Sequence, residues 1–121
     1  MTTHYHLIVE VGDDVLPRAM HRLNLGYAIA FNKRHGSRGH VQFRRYGARR
    51  IHADGDFLVR YRYVVRNPVR AGLCTRAADW TWSSFAATLG GGEAHSFIDD
   101  SRILAAFSQP DELRDFVEQS R

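Results

Sequence analysis

The charge of this chain is gathered into one block, and any fold it adopts must leave that block in water. Residues 18–76 hold thirteen arginines and Lys33 against Asp54 and Asp56, a net +12. The flanks are acidic: residues 1–17 carry −3 and residues 77–121 carry −5, so the whole chain shows only +4. Like charges repel one another in a compact state, which forces so basic a segment to the surface. Such a segment suits a polyanion partner, and arginine suits bidentate contact with phosphate. A GC-rich genome accounts for arginine over lysine, but not for the clustering. Hydrophobic residues make up 44% of the 121, ordinary globular composition with enough apolar material for one core. The apolar stretches run only a few residues, too short for a transmembrane helix, and no leader pattern opens the chain. The single cysteine, Cys74, excludes an internal disulfide and fits a reducing cytoplasm.

The patterning predicts an α+β fold, a small antiparallel sheet with helices packed against it. Residues 4–11, HYHLIVEV, alternate with period two. As a strand they place His4, His6, Ile8 and Glu10 on one face and Tyr5, Leu7, Val9 and Val11 on the other. A turn at Gly12-Asp13-Asp14 leads into a helix capped by Asp13 or Asp14, with Pro17 in its first turn. Its stripe is Leu16, Met20, Leu23, Tyr27 and Phe31, and Gly36 stops it. Residues 40–46 and 48–53 read as two strands around Gly47, most simply a hairpin. Asp54 is the expected N-cap of a second helix over 55–67, which Asn67-Pro68 ends or kinks before a short continuation to Ala71. Trp80, Trp82 and Phe85 read as core anchors rather than as stacking platforms. The Gly-rich stretch at 89–93 sets a body, 1–88, apart from an acidic tail, 89–121, with short helices near 101–107 and 111–119.

Two groups of residues offer chemistry. His4 and His6, at i and i+2 on one strand face, can present two nitrogens to one divalent metal; the plain alternative is a half-exposed strand that happens to carry two histidines. In the second helix Phe57, Leu58, Tyr61, Val64 and Val65 make the apolar stripe, and Tyr63 points elsewhere. Its neighbours at helical spacing are Asp56, Val59, Arg60, Arg66, Asn67 and Arg70. A tyrosine on that polar face is placed to meet a phosphate, and Asn67, one turn on, offers an oxygen as a third metal ligand. Read plainly, it is a surface tyrosine beside solvated arginines.

With these residues in view, the chain resembles the REP-associated tyrosine transposases of the single-tyrosine HUH transposase superfamily. HUH denotes histidine, a bulky hydrophobic residue, histidine: here His4-Tyr5-His6. The stronger match is YVVRNPVRAGL, Tyr63 to Leu73, followed by DWTWSSF, Asp79 to Phe85. Phe31 to Gly36, Gly39-His40-Val41 with Arg45-Tyr46, and the tail SFIDDSRILAAF also fit, in family order.

The resemblance implies a ferredoxin-like antiparallel sheet with packed helices. It implies His4 and His6 as metal ligands, Tyr63 as nucleophile, and Asn67 at the position of a third ligand-bearing polar side chain. The implied reaction is transesterification of single-stranded or hairpin DNA in a bacterial cytoplasm through a 5′-phosphotyrosine. A phenol with a pKa near 10 is a poor nucleophile at neutral pH, so a divalent cation, Mg²⁺ or Mn²⁺, is expected. Imidazole ligands tilt the choice toward Mn²⁺. Arg44, Arg45, Arg49 and Arg50 on the hairpin strands, with Arg60, Arg66 and Arg70 on the helix, are the expected track for the DNA backbone.

The chain departs from the family in two places. Family members carry a further strand and helix ahead of the first histidine, and Met1-Thr2-Thr3 stands here instead. A truncated gene copy, a reading frame that starts late, and a minimal form completed by a homodimer with strand exchange all account for this. Where the family has an aromatic residue, Gln and Gly, this chain has Gln42, Phe43 and Arg44, an exchange that turns the ring to the other strand face. The rival function is a non-catalytic or decayed module that binds single-stranded or hairpin DNA.

Overall fold

The structure is a computed structural model and describes residues 1, 3–13, 15–41, 44–93 and 95–119. Five α-helices run through them: α1 (Leu16–His35), α2 (Asp54–Arg70), α3 (Phe85–Thr88), α4 (Ser101–Leu104) and α5 (Pro110–Glu118). A 3-10 turn spans Ala77–Asp79. The chain forms two compact units, Met1–Ile8 with Ile51–Arg121, and Val9–Arg50. Among the described residues no helix is long and apolar enough to cross a membrane.

The expected ferredoxin-like antiparallel sheet is absent: no strand occurs among the described residues. Alternation decides which side chains share a face, but a strand exists only where its N–H and C=O groups meet a neighbour's. Residues 4–11 have no ladder, and the alternation shows in their burial only over residues 5–9. His6 and Ile8 are half-buried, while Tyr5, Leu7, Val9 and Val11 are exposed. The expected hairpin around Gly47 has a further obstacle. Centred there, it sets Arg45 opposite Arg49 and Arg44 opposite Arg50, and directly opposed like charges destabilise a pair of strands. Residues 44–52 accordingly carry no regular secondary structure. Gln42 and Phe43, whose exchange was noted above, lie outside the described residues.

In the Val9–Arg50 unit, α1 ends where expected, but Asp13 does not cap it. Asp14 lies outside the described residues; Val15 holds the N-cap position with extended backbone, and Pro17 sits in the first turn. Met20 of the apolar stripe is buried, Leu16 and Phe31 are half-buried, and Leu23 and Tyr27 are exposed. Gly36 ends the helix at φ 62°, a left-handed conformation that glycine adopts without a Cβ clash, and its N–H donates to the Asn32 carbonyl. The Asn32 side chain ties down the exit, donating to the Gly39 carbonyl at 3.0 Å and accepting from Ser37 Oγ at 2.9 Å.

The other unit holds the core. Phe57 and Val65 of α2, Ala77, Phe85 of α3, Ile103 of α4, and Leu113 and Val117 of α5 form one buried cluster. Ile8, Ile51, Leu58, Tyr61 and Val69 pack against it. Each fully buried large side chain contributes roughly 1.5–3 kcal/mol. The i and i+4 spacing of Leu113 and Val117 turns one face of α5 onto this cluster. Arg102 links α4 to the start of α2, pairing with Asp54 at 2.7 Å and lying 4.5 Å over the Phe57 ring.

Helix α2 differs from expectation at its start and carries the expected continuation past Asn67. Asp54 is its first residue, with Ala53 at the N-cap, and the helix runs through Pro68 to Arg70 without ending at Asn67. Pro68 cannot donate a backbone hydrogen bond, but it sits in the last turn and its ring is buried, so packing offsets the missing bond. Trp82 corrects a second expectation. It is 83% exposed and anchors nothing, whereas Phe85 is fully buried and Trp80 half-buried.

Candidate active site

Helix α2 presents two different tyrosines. Tyr61 turns inward, its ring 6.4 Å from that of Phe85. Burial pushes its phenol up to about 12, opposed in part by the nearby Thr88 hydroxyl. Such a group keeps its proton and is no nucleophile at neutral pH. Tyr63, two positions on, turns to the other side of the helix and is 43% exposed. Asp56, Arg60, Asn67 and Arg70 recur on its face at three- and four-residue steps.

The histidine segment meets this face. Ile8 packs against the core and holds residues 1–8 to the unit that contains α2. The His6 ring then stands edge-on to Tyr63, 6.0 Å between centroids at 85°. His4 and His6 lie 5.1 Å apart, also edge-on. Thr3 Oγ1 and His4 Nδ1 are hydrogen bonded at 3.1 Å, which leaves Nε2 of His4 outside that bond. Burial pulls the His6 imidazole below its ordinary value, and the neighbouring His4 and the amino terminus act in the same direction. His6 is therefore neutral at pH 7, with a ring lone pair available.

The spacing of the histidines suits a shared cation. Imidazoles bound to one ion at about 2.1 Å place their centroids about 4.6–5.3 Å apart at ordinary ligand angles. The observed 5.1 Å falls inside that span. Among the described residues no group of three or more His, Cys, Asp or Glu side chains converges. The expected set instead draws its third ligand from an amide, Asn67, which is half-buried one turn after Tyr63. The spacing of His4 and His6 thus fits a shared divalent ion, and Asn67 is the residue from which a third ligand would come.

The arginines expected along α2 have separate partners. Arg70 lies over the Tyr63 ring, its guanidinium carbon 5.2 Å from the centroid. Arg60 pairs with Asp56 at 3.3 Å. Arg66 donates to the Gln119 carbonyl at the end of α5, and Arg62 donates to the same oxygen. Two guanidinium groups there meet the negative end of the α5 dipole. Arg44, Arg45, Arg49 and Arg50 are exposed and belong to the Val9–Arg50 unit, whereas Tyr63 belongs to the other.

Sequence reasoning passed over Thr3, Arg62 and the exposure of Trp82. Arg62 carried a signal, since it stands one turn before Arg66 and shares its face. Trp82 carried another in its hydroxyl neighbours Thr81, Ser83 and Ser84. Thr3 carried none, because its bond to His4 is a matter of local backbone geometry. No family model, curated protein or solved structure matches this chain.

Proposed function

We propose that this chain nicks and rejoins single-stranded or hairpin DNA through a 5′-phosphotyrosine on Tyr63, as the resemblance to REP-associated tyrosine transposases implies. The observation that supports the reading most is the meeting of the His4–His6 pair with Tyr63, which is distant from it in sequence, on one side of α2. The +12 block supplies the charge that a DNA partner requires.

In the proposed step the Tyr63 oxygen attacks the scissile phosphorus, and the phenol proton passes to water. The bond from phosphorus to the 3′ oxygen breaks, and that oxygen takes up a proton and leaves as a free 3′-hydroxyl. The 5′-phosphate stays on Tyr63. A later attack by a DNA 3′-hydroxyl forms a new phosphodiester and restores the tyrosine. One ester bond replaces another at each stage, so no external energy source is needed. A divalent cation at His4, His6 and Asn67 would offset charge on the phosphate oxygens. His6 holds its neutral form at the edge of the Tyr63 ring, and Arg70 covers that ring while its charge faces an incoming phosphate. A cytoplasmic setting accords with such a substrate.

The test is incubation with a labelled hairpin single strand and Mn²⁺. Wild type is expected to give a covalent protein–DNA adduct, and Tyr63→Phe none. An adduct formed equally by Tyr63→Phe removes the residue assignment. If wild type gives none, yet binds DNA in a salt-dependent way that survives Tyr63→Phe and chelation, the non-catalytic module is the correct reading.

A further inference from the structure

Trp82 is the most exposed large apolar side chain among the described residues, at 83%. An indole left in water on a loose segment needs no explanation, but this one is firmly mounted. It lies in the short turn between the Ala77–Asp79 segment and α3. On one side Ala77 is fully buried, and its N–H donates to Glu118 Oε1 at 2.8 Å. Arg76 grips Asp79 through two hydrogen bonds, at 3.0 and 2.7 Å, and the Trp80 N–H donates to the Ala77 carbonyl at 3.3 Å. On the other side Phe85 is fully buried, its N–H donates to Ser83 Oγ at 3.2 Å, and Thr88 donates from both its N–H and its hydroxyl to the Ser84 carbonyl. The indole is thus presented to solvent from a turn held at both ends, and a rigid mount lowers the entropy lost on binding.

The surroundings decide the kind of partner. A tryptophan that anchors a protein interface sits within an apolar, water-excluding patch. The chain neighbours of Trp82 are Thr81, Ser83 and Ser84, hydroxyl residues that suit phosphate and sugar contacts. The basic block ends in sequence at Arg76, just before this turn, where Arg76 is paired with Asp79. Exposed aromatic faces are how proteins stack unpaired bases without reading their sequence.

We infer that Trp82 is a stacking platform for an unpaired base of single-stranded DNA, outside the Tyr63 site. This rests on the proposal above that the chain binds such DNA. The test uses Trp80→Phe, which leaves Trp82 as the one tryptophan, titrated with a mixed-sequence single-stranded oligonucleotide. Tryptophan fluorescence follows the indole, and anisotropy of a label on the DNA follows binding. Saturable quenching in step with the anisotropy is expected. In the natural background Trp82→Ala is expected to weaken binding about tenfold, with thermal unfolding unchanged and Trp82→Phe restoring part of the loss. Binding with no quenching, or with undiminished affinity in Trp82→Ala, overturns the platform and leaves DNA binding intact. Failure of the oligonucleotide to bind at low salt overturns the DNA-binding reading, and the platform with it.

Discussion

The His6 imidazole stands edge-on to the Tyr63 ring, with 6.0 Å between their centroids. The contact depends on two separate anchors. Ile8 packs against the core and carries the histidine segment with it, while Phe57 and Val65 bury the opposite side of α2 and leave Tyr63 outside. A side chain placed by core packing on both partners is a better base for chemistry than one on a free terminus.

Mn²⁺ binding tests the histidine pair directly. His4→Ala and His6→Ala are each expected to weaken Mn²⁺ affinity at least tenfold by calorimetry, and Asn67→Ala by less, because an amide oxygen is the weaker ligand. Affinity should also fall with acidification, because protons compete with a metal for its ligands. Unchanged affinity in both histidine variants rules out a metal at this position.

The arginines of α2 should separate by role. Arg70 covers Tyr63 and is free of the C-terminal helix, so Arg70→Ala is expected to slow adduct formation. It should also reduce the slope of log affinity against log salt by about 0.7, the loss of one phosphate contact on a single strand. Arg66 holds the end of α5, so Arg66→Ala is expected to cost about 1–2 kcal/mol of stability and to lower the unfolding midpoint. If Arg66→Ala lowers the salt slope and leaves the midpoint alone, the two assignments are reversed.

The core predicts where the unit is weakest to truncation. Leu113 and Phe85 are both fully buried, in α5 and α3. Leu113→Ala is expected to cost roughly 2–5 kcal/mol and Phe85→Ala roughly 3–5 kcal/mol. Either exceeds what surface substitutions such as Trp82→Ala should remove, and chemical denaturation would rank them. A cost for Leu113→Ala below about 1 kcal/mol would mean that α5 does not close this core.

The helices and the polar face of α2 were legible because each signal is local. Stripe, proline and glycine placed α1, and helical spacing alone put Tyr63, Asn67 and Arg70 on one side of α2. The sheet was misread because period-two alternation in HYHLIVEV marks faces and not partners. The opposed arginines around Gly47 were the available warning against a hairpin. That Ile103, Leu113 and Val117 share a core with Phe85 was not readable, since short apolar pairs along an acidic segment do not say what they pack against. The approach of His6 to Tyr63 was equally out of reach of spacing rules, as it joins segments that only tertiary packing brings together.

The contrast between the two tyrosines can be read spectroscopically. Burial raises the Tyr61 phenol from 10.0 to about 12, so the folded state holds its proton more tightly than the unfolded chain does. Stability from this source is fully present below pH 10 and is lost as pH rises through about 12. A titration of phenolate absorbance is therefore expected to show a late component near pH 12 that disappears in Tyr61→Phe and survives in Tyr63→Phe. Circular dichroism recorded alongside distinguishes titration from unfolding. If the late component vanishes in Tyr63→Phe instead, while the fold persists, Tyr63 is the buried phenol and its place at the histidine pair is lost.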